Sequence, residues 1–418
     1  MQLLILFSFP LRESVGFNIG IPMRLGEIAM YLYTIYVILT IPINKKFKYG
    51  KINKKGIIIV TLLVINIIIT IIVSLNSNID FNFFYKYVIR NLGIAFFIFS
   101  VIIEPLYFDR KTIDLFFKYV IIIQLIMFIL QILGKDIYFL NLVDYNPPSY
   151  FGFTRLKGTA SEPGYLPVII APTLFYFRNK LGNKRYYYLG ILILFFTFSS
   201  FGYLVIGIEL IVNVITKFKY KALNISKKKN LSYIIISILF LVLSTLIIRN
   251  ERGSEIKEIL EFNIKKISNF AISNTTDYSS SSRIQHQEVL LNRFKKAGII
   301  EQAFGQGTGS YSIYSDSAGG AELIESAAEG HNLYLSTLHD RGIFGTIFLT
   351  TLLYMVLNLS KGKRKSILTI SMKYCMMIQI VHWSITGNTW LYYFWICVAI
   401  CISNDIKFYE KKGEKYAV

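Results

Sequence analysis

Apolar runs of roughly 18 to 20 residues recur from one end of the chain to the other, each long enough to cross a ~30 Å hydrocarbon layer as a helix. Short lysine clusters, or breaks containing glycine, proline and asparagine, separate them. Read as helices, the runs give about twelve spans, at approximately 2–20, 25–43, 56–75, 84–103, 113–134, 164–178, 186–200, 201–216, 231–248, 331–358, 367–386 and 389–403. Arg12 and Glu13 interrupt the first, and the seventh and eighth meet at Ser199-Ser200, as a tight hairpin at a membrane face would. The pattern predicts an all-α polytopic membrane protein with a large external loop between helices 9 and 10. N-terminal transmembrane helices fill 1–134, a small external loop 135–163, and central transmembrane helices 164–248. The large loop is 249–330, and 331–418 holds the C-terminal transmembrane helices and a cytoplasmic tail. Helical stretches are expected inside the large loop at about 254–267 and 283–297.

Composition agrees. Of 418 residues 54% are hydrophobic and 17% charged, with mean hydropathy +0.49. A soluble protein of this size exposes too much surface to hide that fraction. The net charge of +20 does not point to nucleic acid, because the basic residues cluster between apolar spans, where they set orientation. Segments assigned inside carry 26 Lys and Arg, and the short segments assigned outside carry 5. That asymmetry places both termini in the cytoplasm. No cleavable signal peptide is expected, since the first segment lacks a basic start and a small-residue cleavage site. Cys375, Cys397 and Cys401 lie in apolar segments without CxxC spacing, and read as buried small hydrophobes.

Two stretches depart from the apolar pattern and carry candidate chemistry. Residues 329–345 read E-G-H-N-L-Y-L-S-T-L-H-D-R-G-I-F-G, with His331 at the mouth of a span. At 100° per residue, Gly342 and Gly345 fall roughly 20° and −40° from His331, one shared face on which glycines admit a close neighbour. A helix N-terminus disfavours imidazolium and attracts anions, so a neutral imidazole there suits general-base work beside a phosphate. Arg283 follows Ser279 to Ser282 and is expected in the first turn of a capped helix, beside free backbone N–H groups. G-Q-G-T-G at 305–309 lacks the Lys-Ser/Thr and the preceding strand of a nucleotide loop. No metal-ligand cluster is apparent.

The arrangement H-N-x9-G-x-x-G from His331 resembles the histidine motif of bacterial O-antigen ligases, of which Wzy-type polysaccharide polymerases carry looser versions. S-S-R-I-Q-H-Q-E-V-L-L-N-R-F-K-K-A-G followed by F-G-Q-G-T-G-S-Y is similar to that superfamily's external loop, and T-R-L-K-G-T-A-S-E-P-G-Y at 154–165 resembles its smaller one. The resemblance covers about 150–360, and the N-terminal third only in hydropathy. It implies a GT-C-like membrane fold. It also implies Arg155 and Arg283 as binders of a polyprenyl diphosphate carrying the glycan, and His331 as acid/base. Guanidinium suits a bidentate anion better than ammonium. The reaction implied is an inverting glycosyl transfer that needs no metal and no cofactor, at the outer face of the bacterial cytoplasmic membrane.

Glu162, Asn332 and Arg341 are secondary candidates: Glu162 before Pro163, Asn332 beside the histidine, and Arg341 as a charge on the histidine's own helix. Lys86 with Arg90, and Arg24 with Glu27, read as packing or headgroup contacts. His382 reads as a core polar group, and His286 and His339 have no reactive neighbour at helical spacing. Polymerase is favoured over ligase, because the atypical composition and large aromatic loop suit an enzyme fitted to its own repeat unit. A ligase would instead take lipid A–core as acceptor. The partners expected are the lipid-linked glycan and the bilayer, with room for a chain-length regulator and none for nucleic acid. A flippase or transporter is the weaker reading, since it leaves the Arg- and His-bearing loop without a role.

Overall fold

The computed structural model describes residues 1–11, 16–18, 22–40, 53–132, 149–150, 153–154, 156–160, 162–179, 184–221, 278–311, 332–359, 366–384 and 391–415. Helices dominate: α1 Gln2–Ser8, α2 Leu25–Thr40, α3 Lys54–Leu75, α4 Phe81–Ile103, α5 Arg110–Ile132, α6 Leu166–Asn179 and α7 Lys184–Phe196. After these come α8 Ser200–Lys221, α9 Tyr278–Lys296, α10 Ile299–Phe304, α11 Leu333–Leu357, α12 Ile367–His382 and α13 Tyr392–Lys415. Two short antiparallel ladders join them, β1 Gly16–Asn18 with β2 Pro22–Arg24, and β3 Ser149–Tyr150 with β4 Phe153–Thr154.

Local signals set the helix starts. Asn53 caps α3 through the N–H groups of Lys55 and Gly56, and Asp80 caps α4 through those of Asn82 and Phe83. Short polar side chains at that position replace the missing intrahelical acceptors. Among the described residues, α3, α4, α5 and α11 are long and apolar enough to cross a membrane, while α2, the first half of α8 and α12 are shorter apolar helices. Their outward faces carry exposed Ile38 and Leu39, Ile68 and Ile72, Phe96 and Phe99, Ile126 and Ile129. So much exposed apolar surface makes sense only against lipid. This is a helical membrane protein.

The buried centre is α6, α12 and α13. Every residue from Leu391 to Ile402 is buried, as are the three free cysteines. Buried ion pairs tie helices together where sequence spacing suggested only local pairs. Glu27 of α2 reaches Arg90 of α4 at 3.4 Å and accepts the Arg24 backbone N–H at 2.8 Å. Arg178 and Glu209 pair at 2.9 Å at the opposite end of the bundle.

The first expected span is corrected. Rather than running over 2–20, the helix ends at Ser8 and the chain turns into the β1–β2 ladder. Seven residues rise only about 10 Å, too little to cross. Pro10 supplies the reason, since it has no N–H to continue the ladder and its ring obstructs the preceding turn. Its free carbonyl instead accepts from Gln124 and Thr159. The hairpin expected at Ser199-Ser200 forms at residues 197–199, with Phe198 at φ 45°. The span expected at 231–248 and the loop helix at 254–267 lie outside the described residues.

Candidate functional site

The far ends of α3, α7 and α12 and the starts of α4, α8 and α11 share one end of the bundle, which α9 and α10 cover. Its central feature is a break in α11. Gly342 has φ 64°, ψ −163°, a region essentially reserved for glycine. The G-Q-G-T-G turn fills the break. The N–H groups of Gln306 and Gly307 donate to the carbonyls of His339 and Asp340 at 2.9 and 3.0 Å, acceptors that a broken helix leaves without their i+4 donors. A Cβ on Gly342 would overlap the backbone of Ala303 and Gly305, and one on Gly305 that of Asp340 and Arg341. The same turn reaches α3 and α4, since Thr308 N–H donates to Ser74 Oγ at 3.0 Å and Asp80 N–H to the Gly309 carbonyl at 3.1 Å. The two glycine motifs are therefore halves of one clasp. Because the helix breaks at Gly342, a single 100° periodicity does not carry from His331 to Gly345. Gly345 faces the Arg341 side chain, which a Cβ there would strike.

The segment after Arg155 is held from the same end. Gln131 Oε1 accepts from Lys157 and Gly158 N–H at 3.1 and 3.2 Å, and its amide donates to the Gly158 carbonyl at 3.0 Å. Two turns back along the same face, Gln124 accepts from Thr159 N–H at 2.9 Å. Gly158, at φ 59°, lets the chain approach Gln124 where a side chain would collide. Leu156 N–H donates to the Phe196 carbonyl at 3.3 Å, beside the α7–α8 hairpin. On the other side of that hairpin, His382 packs its ring against Phe201 at 4.6 Å and Tyr165 at 4.9 Å. The next residue, Trp383, gives its carbonyl to Leu333 N–H at 2.9 Å. The chain neighbours of Arg155 and of His331 thus dock around one hairpin and the end of α12.

Helix α9 supplies the third side. It begins at Tyr278, not after the serines, so Ser279 to Ser282 are inside it and Arg283 lies in its second turn, beyond the unpaired backbone N–H groups of the first. Serine tolerates early helical positions where it also competes for backbone N–H groups. One turn on, His286 Nδ1 shares a hydrogen bond with the Tyr311 hydroxyl, and Tyr311 stands edge-on to His339 at 6.3 Å. His339 Nδ1 lies 2.8 Å from Asp340 Oδ1, and its Nε2 is buried without a hydrogen-bond partner. A chain of side chains therefore ties the Arg283 helix to the helix that follows His331. Sequence spacing could not show it, because His286, Tyr311 and His339 come from three separate segments. Gln124 and Gln131 were legible in principle, as two amides seven residues apart on one face of an apolar span.

Burial holds the His286 imidazole below its usual range and pushes the Tyr311 hydroxyl up to about 12, with Arg293 opposing the second shift. A histidine depressed in the folded state binds fewer protons there than when released. Its contact is complete above the ordinary value of about 6.5 and weakens as pH falls through the depressed one. The protection of α9 amides, corrected for the intrinsic pH dependence of exchange, should accordingly fall on acidification from pH 7 toward pH 5, and His286→Gln should remove that loss.

The secondary candidates take distinct places. Asn332 caps α11, its Oδ1 accepting from Tyr334 and Leu335 N–H at 3.0 and 3.1 Å, and so fixes the start of the helix next to His331. Glu162 lies half-buried in the turn before α6, its carbonyl accepting from Tyr165 N–H at 3.1 Å. Arg341 is only 4% exposed. It donates to Asn66 Oδ1 at 2.9 Å and Thr337 Oγ1 at 3.2 Å, lies over the Tyr87 ring at 5.4 Å, and keeps Nε without an acceptor. It borders a narrow cavity below the break, with Asn66, Tyr87, Asn91, Trp383 and Trp395 among the lining residues. Arg155 and His331 themselves lie outside the described residues, and Arg283 is described by its backbone. No set of three His, Cys, Asp or Glu placed to hold a metal ion occurs among the described residues.

Residues 186–350 match the family model described as O-Antigen ligase. The match runs from α7 into the second limb of α11 and includes Arg283, the 305–309 turn, His331 and Gly342; Arg155 precedes it. The match supports the resemblance to the O-antigen ligase and polymerase superfamily. No curated protein matches the chain.

Proposed function

We propose, from this family match and the motifs that carry it, that the chain polymerises polyprenyl-diphosphate-linked oligosaccharide repeat units into O-antigen or capsular polysaccharide. The reaction takes place at the external face of the bacterial cytoplasmic membrane, with the α9–α10 end outside and both termini in the cytoplasm. His331 takes the proton of the acceptor sugar hydroxyl as that oxygen attacks the donor's anomeric carbon from the face opposite the leaving group. The C–O bond to the diphosphate breaks, the configuration inverts, and the diphosphate leaves with the electron pair. Arg155 and Arg283 neutralise the charge that develops on it, the electrostatic contribution that is usually largest. No metal or nucleotide is needed, since the diphosphate linkage is already activated. Arg341 and Glu162 are auxiliary contacts, and a chain-length regulator is the protein partner.

One observation supports this reading most. The segments next to Arg155 and His331 dock around the α7–α8 hairpin and the end of α12, Leu156 on Phe196 and Leu333 on Trp383, and Tyr311 links α9 to His339 on the helix that follows His331. The second reading, ligation of the glycan to lipid A–core, is favoured by the H-N-x9-G-x-x-G spacing. Surface glycan resolved on a gel separates the two. His331→Ala or Arg283→Ala should collapse the ladder to single-repeat core if the chain polymerises, and leave bare core with polymer on its carrier if it ligates. A normal ladder from well-expressed variants rejects both.

A further inference from the structure

Helix α10 carries the two most exposed large hydrophobic side chains among the described residues. Ile299 is 86% and Ile300 77% exposed, with Phe304 at 48% on the same face as Ile300. In water such a patch on a loop would be a liability. Its position shows what covers it. The clasp fixes the adjoining turn to the ends of α3 and α4 through Ser74 and Asp80. Phe304 meets Phe344 of α11 with ring centroids 5.1 Å apart. Phe344, with Ile343 and Ile347, belongs to the exposed apolar face of a membrane-crossing helix, so the α10 patch continues the lipid-facing surface of the bundle at its rim. Gln302 turns the opposite way and donates to the Phe294 and Ala297 carbonyls at 3.2 Å, fastening α10 under the end of α9. There Lys295 and Lys296 are exposed next to the apolar face.

We propose that α10 is an interfacial anchor. Ile299, Ile300 and Phe304 insert at the boundary of acyl chains and headgroups in the adjacent leaflet, and Lys295 and Lys296 contact lipid phosphates. Apolar insertion flanked by basic residues is the pattern by which surface helices bind anionic bilayers. A short helix alone would bind weakly, but the clasp has already fixed its position, so little ordering cost remains. The anchor holds the α9 scaffold at the level of the membrane surface, whatever reaction takes place beside it.

The full chain in lipid nanodiscs of phosphatidylethanolamine and phosphatidylglycerol tests this. Ile300→Cys carrying a fluorophore is read against shallow nitroxide-labelled lipid and against aqueous iodide; the native cysteines are buried. Glu288→Cys, on the exposed side of α9, serves as the aqueous reference. The anchor predicts that nitroxide lipid quenches position 300 roughly threefold more than position 288, with iodide giving the reverse order. Lys295→Glu with Lys296→Glu should raise iodide quenching at 300. Iodide quenching at 300 equal to that at 288 overturns the proposal, and so does protection from both quenchers, which would mean that protein covers the patch.

Discussion

Replacing Gly342 with alanine is expected to disable the protein more thoroughly than any other single change at a residue without a proposed part in the reaction. Two costs combine there. The backbone at φ 64°, ψ −163° costs a non-glycine residue on the order of 1–3 kcal/mol. The new Cβ also overlaps the Ala303 carbonyl, and forced overpacking costs about 1–3 kcal/mol more. If the backbone instead relaxes to a straight helix, the His339 and Asp340 carbonyls return to intrahelical donors and Gln306 and Gly307 lose their acceptors. Either way the turn separates from α11, and α9 and α10 lose their seat. Purified Gly342→Ala should therefore melt well below the native protein in detergent. Limited proteolysis should open the 278–311 region first. Gly305→Ala should act the same way, and the double variant should cost less than the sum, because both break one contact. A Gly342→Ala protein with native melting and native protease resistance would show that the clasp is unimportant.

Arg283→Ala is expected to give the second large effect, on turnover with stability near native. Its helix is fastened by His286 on Tyr311 and by Gln302 on the end of α9. Loss of a group that neutralises a departing diphosphate lowers the rate by about 10²–10³. Arg283→Lys keeps the charge and loses the two-pronged fit, so it should recover only part of the rate. Initial rates with a purified lipid-linked donor check this, together with the melting temperature of each variant. Equal rates for Arg283→Lys and the native protein would mean that position 283 supplies charge alone, and equal rates for Arg283→Ala that it takes no part.

Hydropathy alone revealed the membrane class, since the apolar runs behind α3, α4, α5 and α11 are written directly in the sequence. The failure at α1 was also written there: Pro10 stands inside the expected span, and the apolar count outweighed it. The start of α9 was misplaced because a serine run reads equally well as cap or first turn. Other features had no local signature. The break at Gly342 depends on the turn that fills it some 35 residues earlier in the chain, and neither glycine motif announces a positive φ without its partner. His286 and His339 looked idle because a helical wheel compares residues within one helix, whereas Tyr311 brings them together from outside. The candidate site was written as a motif, and its chain neighbours are what the structure describes. Asn332 beside His331, and Lys157 and Gly158 after Arg155, are fixed by capping and by Gln131, which positions the chain at both approaches to the candidate histidine and arginine.

In the proposed reaction a base at position 331 acts on a sugar hydroxyl while guanidinium groups hold the diphosphate. The most direct measurement is single-turnover transfer by purified His331→Ala in nanodiscs, with labelled polyprenyl-diphosphate glycan and a matched acceptor, alongside donor binding to the same sample. The account predicts binding close to native and transfer slowed by about 10²–10⁴, the range for a lost general base. Transfer at the native rate by His331→Ala would contradict it.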